Sequence, residues 1–382
     1  MKLTGISLTN FRSYAAAEFA LHPEVTLVVG PNASGKTNLL ESLYVLATTK
    51  SFRAADRDLV RRGSDFLRIV ASGSETEYAL GLSVAPVMEK RVSHNGDKRT
   101  LAAHIGELQI TLFEPDHLNI LSGAPEGRRR YLDFILCQTD RGYIKTLQAY
   151  KRVLRHRNAL LEGSDGRGAV VAPGAPGALA ASGAAPGATG ALAAQLFPWN
   201  LKLTELAMEI VSRRAGLVGA LNKLVPGLYA GIAGSEVELF MEYLPGMPLA
   251  SYGDDFLAAL ERNLRRDMAA GFTTIGPHRE DWRVSFNGAA VGSVASRGET
   301  RTLVLALKLA EMDYLEARSG RRPLLLLDDV FSELDHNRRV GLLERLSGHQ
   351  SVITTTDADS ITRDIAAEFA IVRPEDRRGE AQ

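Results

Sequence analysis

Cysteine, net charge and long apolar runs are all scarce in this chain of 382 residues. The single cysteine, Cys137, excludes an intramolecular disulfide framework and a multi-cysteine zinc site, and fits a reducing, cytoplasmic setting. With 45 Lys+Arg against 45 Asp+Glu the formal charge is zero, so any polyanion site has to be a local patch. Met1 to Asn10 half-alternates like a strand and has no apolar stretch of signal-peptide length. The one long uncharged run, Gly168 to Leu201, carries Pro173, Pro176 and Pro186 among many glycines and alanines, which argues against a transmembrane helix and against a membrane partner. The rest is ordinary for a soluble globular protein, 45% apolar and 24% charged. The length fits two to three domains at about 150 residues each.

Strand and helix signals alternate at both ends. Val25 to Val29 has the continuous apolar character of a central strand covered on both faces, and Leu39, Leu43 and Leu46 follow at helical spacing. Asn95-Gly96 and Asn287-Gly288 are type I′ hairpin signals. Downstream come a helix (300–317), a strand (324–327), a helix (337–346) and a strand (352–355), the spacing of parallel βαβ units. Between the two ends the chain looks helical, Arg128 to Leu161 and Trp199 to Leu224, interrupted by Ala/Gly/Pro-rich sequence at 163–194 that reads as a flexible linker. The expected architecture is α/β: one domain made from both termini (1–125 and 271–382), with an inserted helical subdomain at 126–270.

Gly30-Pro31-Asn32-Ala33-Ser34-Gly35-Lys36-Thr37 matches the phosphate-loop pattern between a predicted strand and a predicted helix. Its glycines let backbone N–H groups wrap phosphates, Lys36 places a cation at the β/γ positions, and Thr37 offers a hydroxyl to Mg²⁺. Leu324 to Leu327 ends in Asp328 and Asp329. Ligands of α/β sheets sit at the carboxyl ends of strands, so Asp328 is the candidate Mg²⁺ ligand and Asp329 the candidate for orienting the attacking water. The plainer alternative is that the pair caps the next helix. Ser296 and Gly298 open a helix that is apolar nearly all round, which is either an anion-binding end or an ordinary cap. The order of phosphate loop, Ser-x-Gly and carboxylate strand is that of the ATP-binding cassette class.

Taken together, these segments and several others resemble the bacterial RecF family of DNA replication and repair proteins. The resemblance is carried by Asn10–Tyr14, the phosphate loop, Lys50–Arg53, Phe113–Leu118, Gly123–Asp133, Tyr150–Asn158, Thr274–Asp281, Leu327–Asp335 and Thr354–Asp357, in that order. It implies a cassette-type head similar to SMC heads, ATP and Mg²⁺ as cofactors, and an ATP-dependent homodimer on DNA at single-stranded gaps or single/double-strand junctions. It further implies RecO and RecR as partners in loading RecA, and nucleotide contacts from Arg12, Asn38, Asp335 and Thr356. Asp329 stands where the wider class has glutamate, and Thr356 where it has a switch histidine, so a weak, DNA-stimulated ATPase is expected. Gln109 is one candidate for the metal-sensing glutamine and equally reads as a buried strand residue.

For DNA, the basic stretch of Arg128, Arg129, Arg130, Lys145, Lys151, Arg152, Arg155 and Arg157 suits phosphate contacts without base information. A solvated helix face is the alternative. His278 and Arg279 stay open between folding the head and touching a ligand. Two competing functions share the nucleotide motifs: a transporter ATPase subunit, disfavoured by the large insertion, and a scaffold that uses ATP only as glue.

Overall fold

The structure is a computed structural model, and it describes residues 2–164, 186–357, 362 and 368–375. The chain opens with an antiparallel pair, β1 (Leu3–Phe11) and β2 (Tyr14–Ala20), then crosses to β3 (Val25–Val29) and the phosphate-loop helix Lys36–Thr48. Next come β4 (Phe66–Gly73), β5 (Glu77–Ser83), β6 (Glu89–His94) and β7 (Asp97–Arg99), and then β8 (Ile110–Phe113). Helices Pro125–Thr139, Arg141–Ser164 and Pro186–Ala233 follow. After them lie β9 (Leu239–Leu244), β10 (Asp281–Phe286) and β11 (Ala289–Ala290). The chain ends with helix Arg297–Ser319, β12 (Leu324–Asp328), helix His336–Leu346, β13 (Ser351–Thr355) and β14 (Phe369–Val372).

Three sheets result. The parallel one, in the order β14-β3-β13-β12-β8, joins strands from both ends of the chain. Its side chains alternate between two cores, as the period of two requires. Leu325 and Leu327 face the core shared with helix Arg297–Ser319, whereas Leu324 and Leu326 face the core shared with helix Lys36–Thr48 and the antiparallel sheet β2-β1-β4-β5-β6-β7. Both faces are covered, which is why these strands read as unbroken apolar runs. The two Asn-Gly pairs form the expected turns, with positive φ at Asn95 and Gly96 (51° and 81°) and at Asn287 and Gly288 (50° and 78°). Together with the β12–helix–β13 crossover they bear out the α/β head.

The middle of the chain differs from expectation in three respects. The 126–270 segment is not wholly helical: β9 pairs along its length with β10, so a three-stranded sheet straddles the expected boundary. Leu239, Met241 and Tyr243 are buried while Phe240 points outward, a period of two too short to stand out beside long helices. The run from Arg128 to Leu161 is two helices, because the Asp140 carboxylate accepts from Gly142 N and Tyr143 N and starts the second one. Of the expected linker, 165–185 lies outside the described residues, while Ser164 ends one helix and Pro186–Ala194 begins another. Pro186 suits a first helical turn and the alanines after it favour helix, and Leu192 and Leu196 pack on Leu161. The helical segment Gly190–Ala233 is long and apolar enough, by length and composition, to cross a membrane. Its Leu203, Ile210, Leu217 and Leu221 are part of the main core.

Candidate nucleotide and nucleic-acid sites

The phosphate loop leaves the end of β3 and enters its helix through Gly35, whose φ of 109° is left-handed. A Cβ there would lie 2.7 Å from the Tyr14 hydroxyl, so Gly35 requires glycine, whereas one at Gly30 would lie 2.6 Å from Ser34 Oγ and would force that hydroxyl to turn. The helix has no side-chain cap, which leaves its first N–H groups facing the loop. Lys36 Nζ lies 2.8 Å from Gly30 O and 2.9 Å from Pro31 O, in the middle of the loop. Ser34 Oγ is buried without a hydrogen-bond partner. An oxygen-rich anion would satisfy that hydroxyl and the helix N–H groups at once, so the residues present fit a phosphate group.

Two registers deliver the carboxylates. β12 lies next to β13, and β13 next to β3, so the ends of all three strands come together. Thr37 Oγ1 donates to Asp328 Oδ1 at 3.0 Å, and Thr354 Oγ1 from the end of β13 donates to the same oxygen at 2.8 Å. Thr354 Oγ1 also accepts from Asp329 N at 2.9 Å, while Asp329 itself takes a left-handed φ of 50° that turns the chain out of the strand. Asp329 stands at the N-cap position of a 3₁₀ turn, Val330–Glu333, without a side-chain capping bond, and the helix His336–Leu346 that follows is capped by Asp335. Thr354 was not among the expected site residues, although it opens the segment Thr354–Asp357 that carries part of the resemblance.

Beside the loop, Arg12 Nε and Nη2 donate to Glu41 at 2.8 and 2.7 Å, and its Nη1 donates to Asp58 O. Arg53 bridges Glu41 and Asn38, and Asn38 donates to Ser13. Burial works to raise the Glu41 pKa, but the bonds from Arg12, Arg53 and Ser51 prevail and hold it below the ordinary carboxylate range. The Arg12 guanidinium, expected at the nucleotide, is bound within the protein. Thr356 is exposed in the bend after β13, and the preceding Thr355 accepts from Gly30 N, which places Thr356 at the mouth of the loop.

Ser296 and Glu299 form a complete capping box on helix Arg297–Ser319. Asp335 accepts from Arg338 N and pairs with its guanidinium, and the nearest side-chain atom to a Cβ on Gly298 is that guanidinium at 3.8 Å. No described contact joins Ser296, Gly298 or Asp335 to the phosphate loop of the same chain.

Gln109 is placed by the fold as a structural residue. It is buried before β8, at the amino ends of the parallel strands and away from the loop, bonded to Gln138 O and to Ser319. At the other end of β8, Phe113 pairs with Leu327, so Glu114 stands beside Asp328. Burial, then the Asp116 charge and more weakly Asp328, push Glu114 up to about 7, with Lys308 pulling the other way.

The basic stretch divides. Arg128 makes a two-pronged pair with Asp281 at 2.7 and 2.6 Å, and Arg129 donates to Glu280 O at 2.8 Å. Arg157 is fully buried on Asp267. These three arginines tie the helices to the segment 267–281: the guanidiniums of Arg128 and Arg157 are committed to carboxylates, whereas Arg129 gives one N–H to a backbone oxygen. Arg130, Lys145, Lys151, Arg152 and Arg155 are exposed. The last four lie at helical spacing on the outer face of Arg141–Ser164, opposite buried Tyr143, Tyr150 and Val153. Burial pushes His278 down to about 4, and its ring bonds Tyr150 and Thr273 O, so it folds the head. Arg279 is exposed over the Phe272 ring.

A family model described as the RecF/RecN/SMC N-terminal domain matches residues 2–377. A curated relative from Herpetosiphon aurantiacus, named DNA replication and repair protein RecF, is 35% identical over 95% of each chain. The chain belongs to the RecF family. A solved structure of the recombination mediator protein RecF with ATP, in the RecFOR pathway, superposes with a TM-score of 0.81 at 29% identity over 93% of this chain and 92% of that one. An SMC head bound to the C-terminal winged-helix domain of ScpA matches at 0.52 and 14% identity over 98% and 94% of the two chains, which shows the shared ATPase-head fold. The resemblance read from the motifs and the cassette-type head are thereby borne out.

Proposed function

We propose that this chain is a cytoplasmic, ATP-gated DNA-binding protein that pairs with a second copy around ATP and Mg²⁺. The observation that carries the reading is the 3.0 Å bond between Thr37 and Asp328, which joins phosphate loop and carboxylate strand into one site. The structure with ATP among the relatives supports the choice of nucleotide. Gly30, Pro31, Asn32, Ala33, Ser34, Gly35 and Asn38 cradle the phosphates with Lys36 as their side-chain cation. Thr37 and Asp328 hold Mg²⁺, which supplies charge neutralisation at the β- and γ-phosphates. Asp329 accepts the proton of the attacking water, and its short side chain makes hydrolysis slow. Ser296, Gly298 and Asp335 of one copy, which no contact among the described residues ties to their own loop, serve the nucleotide of the other. Thr356 sits at the loop mouth, and Arg12 acts by fixing Glu41 and Arg53 beside it.

DNA, at single-stranded gaps or single/double-strand junctions, is held through its phosphates by Arg130, Lys145, Lys151, Arg152 and Arg155. RecO and RecR act with the complex in loading RecA, a role supported by the pathway named for the related structure. The test measures association state and duplex-junction binding together with ATP, ADP and no nucleotide, on wild type and Lys36→Met. Both activities should require ATP and fail in Lys36→Met; ATP-independent binding in either protein refutes the reading.

A further inference from the structure

An open concavity of about 1110 Å³ lies away from the phosphate loop, on the outer face of β4–β7. Strand register defines its floor. Phe66, Ser83 and Glu89 lie in one cross-strand row, Arg68, Gly81 and Arg91 in the next, and Val70, Ala79, Ser93 and Lys98 in the third. The alternate residues, Leu67, Ile69, Leu80, Leu82 and Val92, point into the core, so the listed rows face away from it. Gly81 leaves a slot between Arg68 and Arg91, whose backbones lie two strands apart, about 10 Å at the usual strand spacing. Among the described residues Arg68 and Lys98 have no ion pair, and Arg91 meets only the exposed Glu89.

One end of the face is apolar: Phe66, Val87 and Met88 are 50%, 73% and 51% exposed. Arginine, aromatic and methionine side chains around a small-residue floor are the composition of a protein–protein interface core. Only Phe66 of these three could stack on a base, and Val87 and Met88 beside the cations give nothing to a phosphodiester chain, whose binding rests on cations and stacking rings. We propose that this face is a docking site for an acidic segment of a second protein, its carboxylates entering the slot between Arg68 and Arg91 and an apolar residue covering Phe66, Val87 and Met88. The inference rests on the proposed place of the chain in an assembly with RecO and RecR.

The test uses purified RecO and RecR from the same source as probes, with junction DNA and ATP titrated in parallel. Arg68→Glu/Arg91→Glu reverses the charge of the slot. Gly81→Val fills it without touching any charge, and the strand can accept the change because a Cβ there meets nothing closer than 4.0 Å. Both variants should raise the Kd for RecO or for RecR at least ten-fold and weaken that binding alone, with ATP and DNA affinities unchanged. Wild-type affinity for both proteins in either variant overturns the docking face while leaving the proposed function standing. Parallel loss of DNA binding makes the face a nucleic-acid surface and overturns the proposal, as does loss of ATP-dependent dimerisation, which would make it a self-interface. Absence of saturable binding of either protein to the wild-type chain overturns both the proposal and the assembly on which it rests.

Discussion

Arg157→Met separates a structural arginine from a DNA-binding one. Its side chain is wholly buried, with Nη1 on Asp267 Oδ2 at 2.8 Å and on Thr273 Oγ1 at 2.6 Å, and Nε on Asn200 at 2.9 Å. Asp267 also accepts from the backbone and hydroxyl of Thr274. Methionine restores most of the volume but strands a buried carboxylate, and breaking one half of such a pair costs about 3–5 kcal/mol. Arg157 Nη2 is itself buried without a partner, so part of the guanidinium desolvation is recovered and the lower half of that range is the better expectation. If the helices and the three-stranded sheet unfold as one unit, Tm should fall by roughly 6–16 °C, at about 2–4 °C per kcal/mol. Urea unfolding followed by tryptophan fluorescence reads this directly, since Trp199 stacks on His156 at a ring distance of 5.1 Å. Adding Asp267→Asn, which removes the stranded charge and keeps an acceptor for Thr274, should return at least half of the loss. DNA affinity of the folded single variant should stay at the wild-type value. By contrast, Arg152→Glu on the exposed face should leave stability within about 0.5 kcal/mol of wild type and weaken DNA binding, with the slope of log affinity against log salt flattened by about one unit. Wild-type stability of Arg157→Met together with weakened DNA binding would refute the assignment.

Asp329→Asn should keep ATP binding and lengthen the life of the ATP dimer, because only proton acceptance needs the charge; equal turnover in single-turnover assays would move that role elsewhere. Replacing residues 165–185 by a short Gly/Ser connector should leave ATPase and DNA binding nearly intact, since closure entropy changes slowly with length, whereas a deletion that extends through Leu192 and Leu196 should lower Tm by removing their packing on Leu161. Glu114 has a folded pKa of about 7 against an ordinary 4.5, so its protonated form favours folding. That contribution is complete below the ordinary value and is lost as pH rises through about 7. Glu114→Gln should therefore flatten the stability profile between those pH values, by on the order of 3 kcal/mol at most, and an unchanged profile by urea unfolding would count against the shift.

The sequence by itself determined the local elements and the chemistry of the phosphate loop. Strand β3, its loop and its helix are neighbours in the chain, so apolar spacing and the glycine-rich loop pattern were enough to place them, and both Asn-Gly turns are local for the same reason. Composition misled where several structures suit the same residues: Pro186–Ala194 has the small residues of a linker and the alanines of a helix, and contact with Leu161 decides for helix. Similarly, β9 has an alternating pattern only six residues long, and it becomes a strand because β10 supplies its hydrogen bonds. Tertiary structure alone decided which cations are free. Arg128, Arg129 and Arg157 look like Arg130, Arg152 and Arg155 in one dimension, but the Asp281 and Asp267 carboxylates and the Glu280 backbone oxygen lie more than 100 residues away and reach them only once the helices pack. Charge is written in the sequence, whereas its neutralisation depends on distances of 3 Å or so between groups that the chain brings together only by folding.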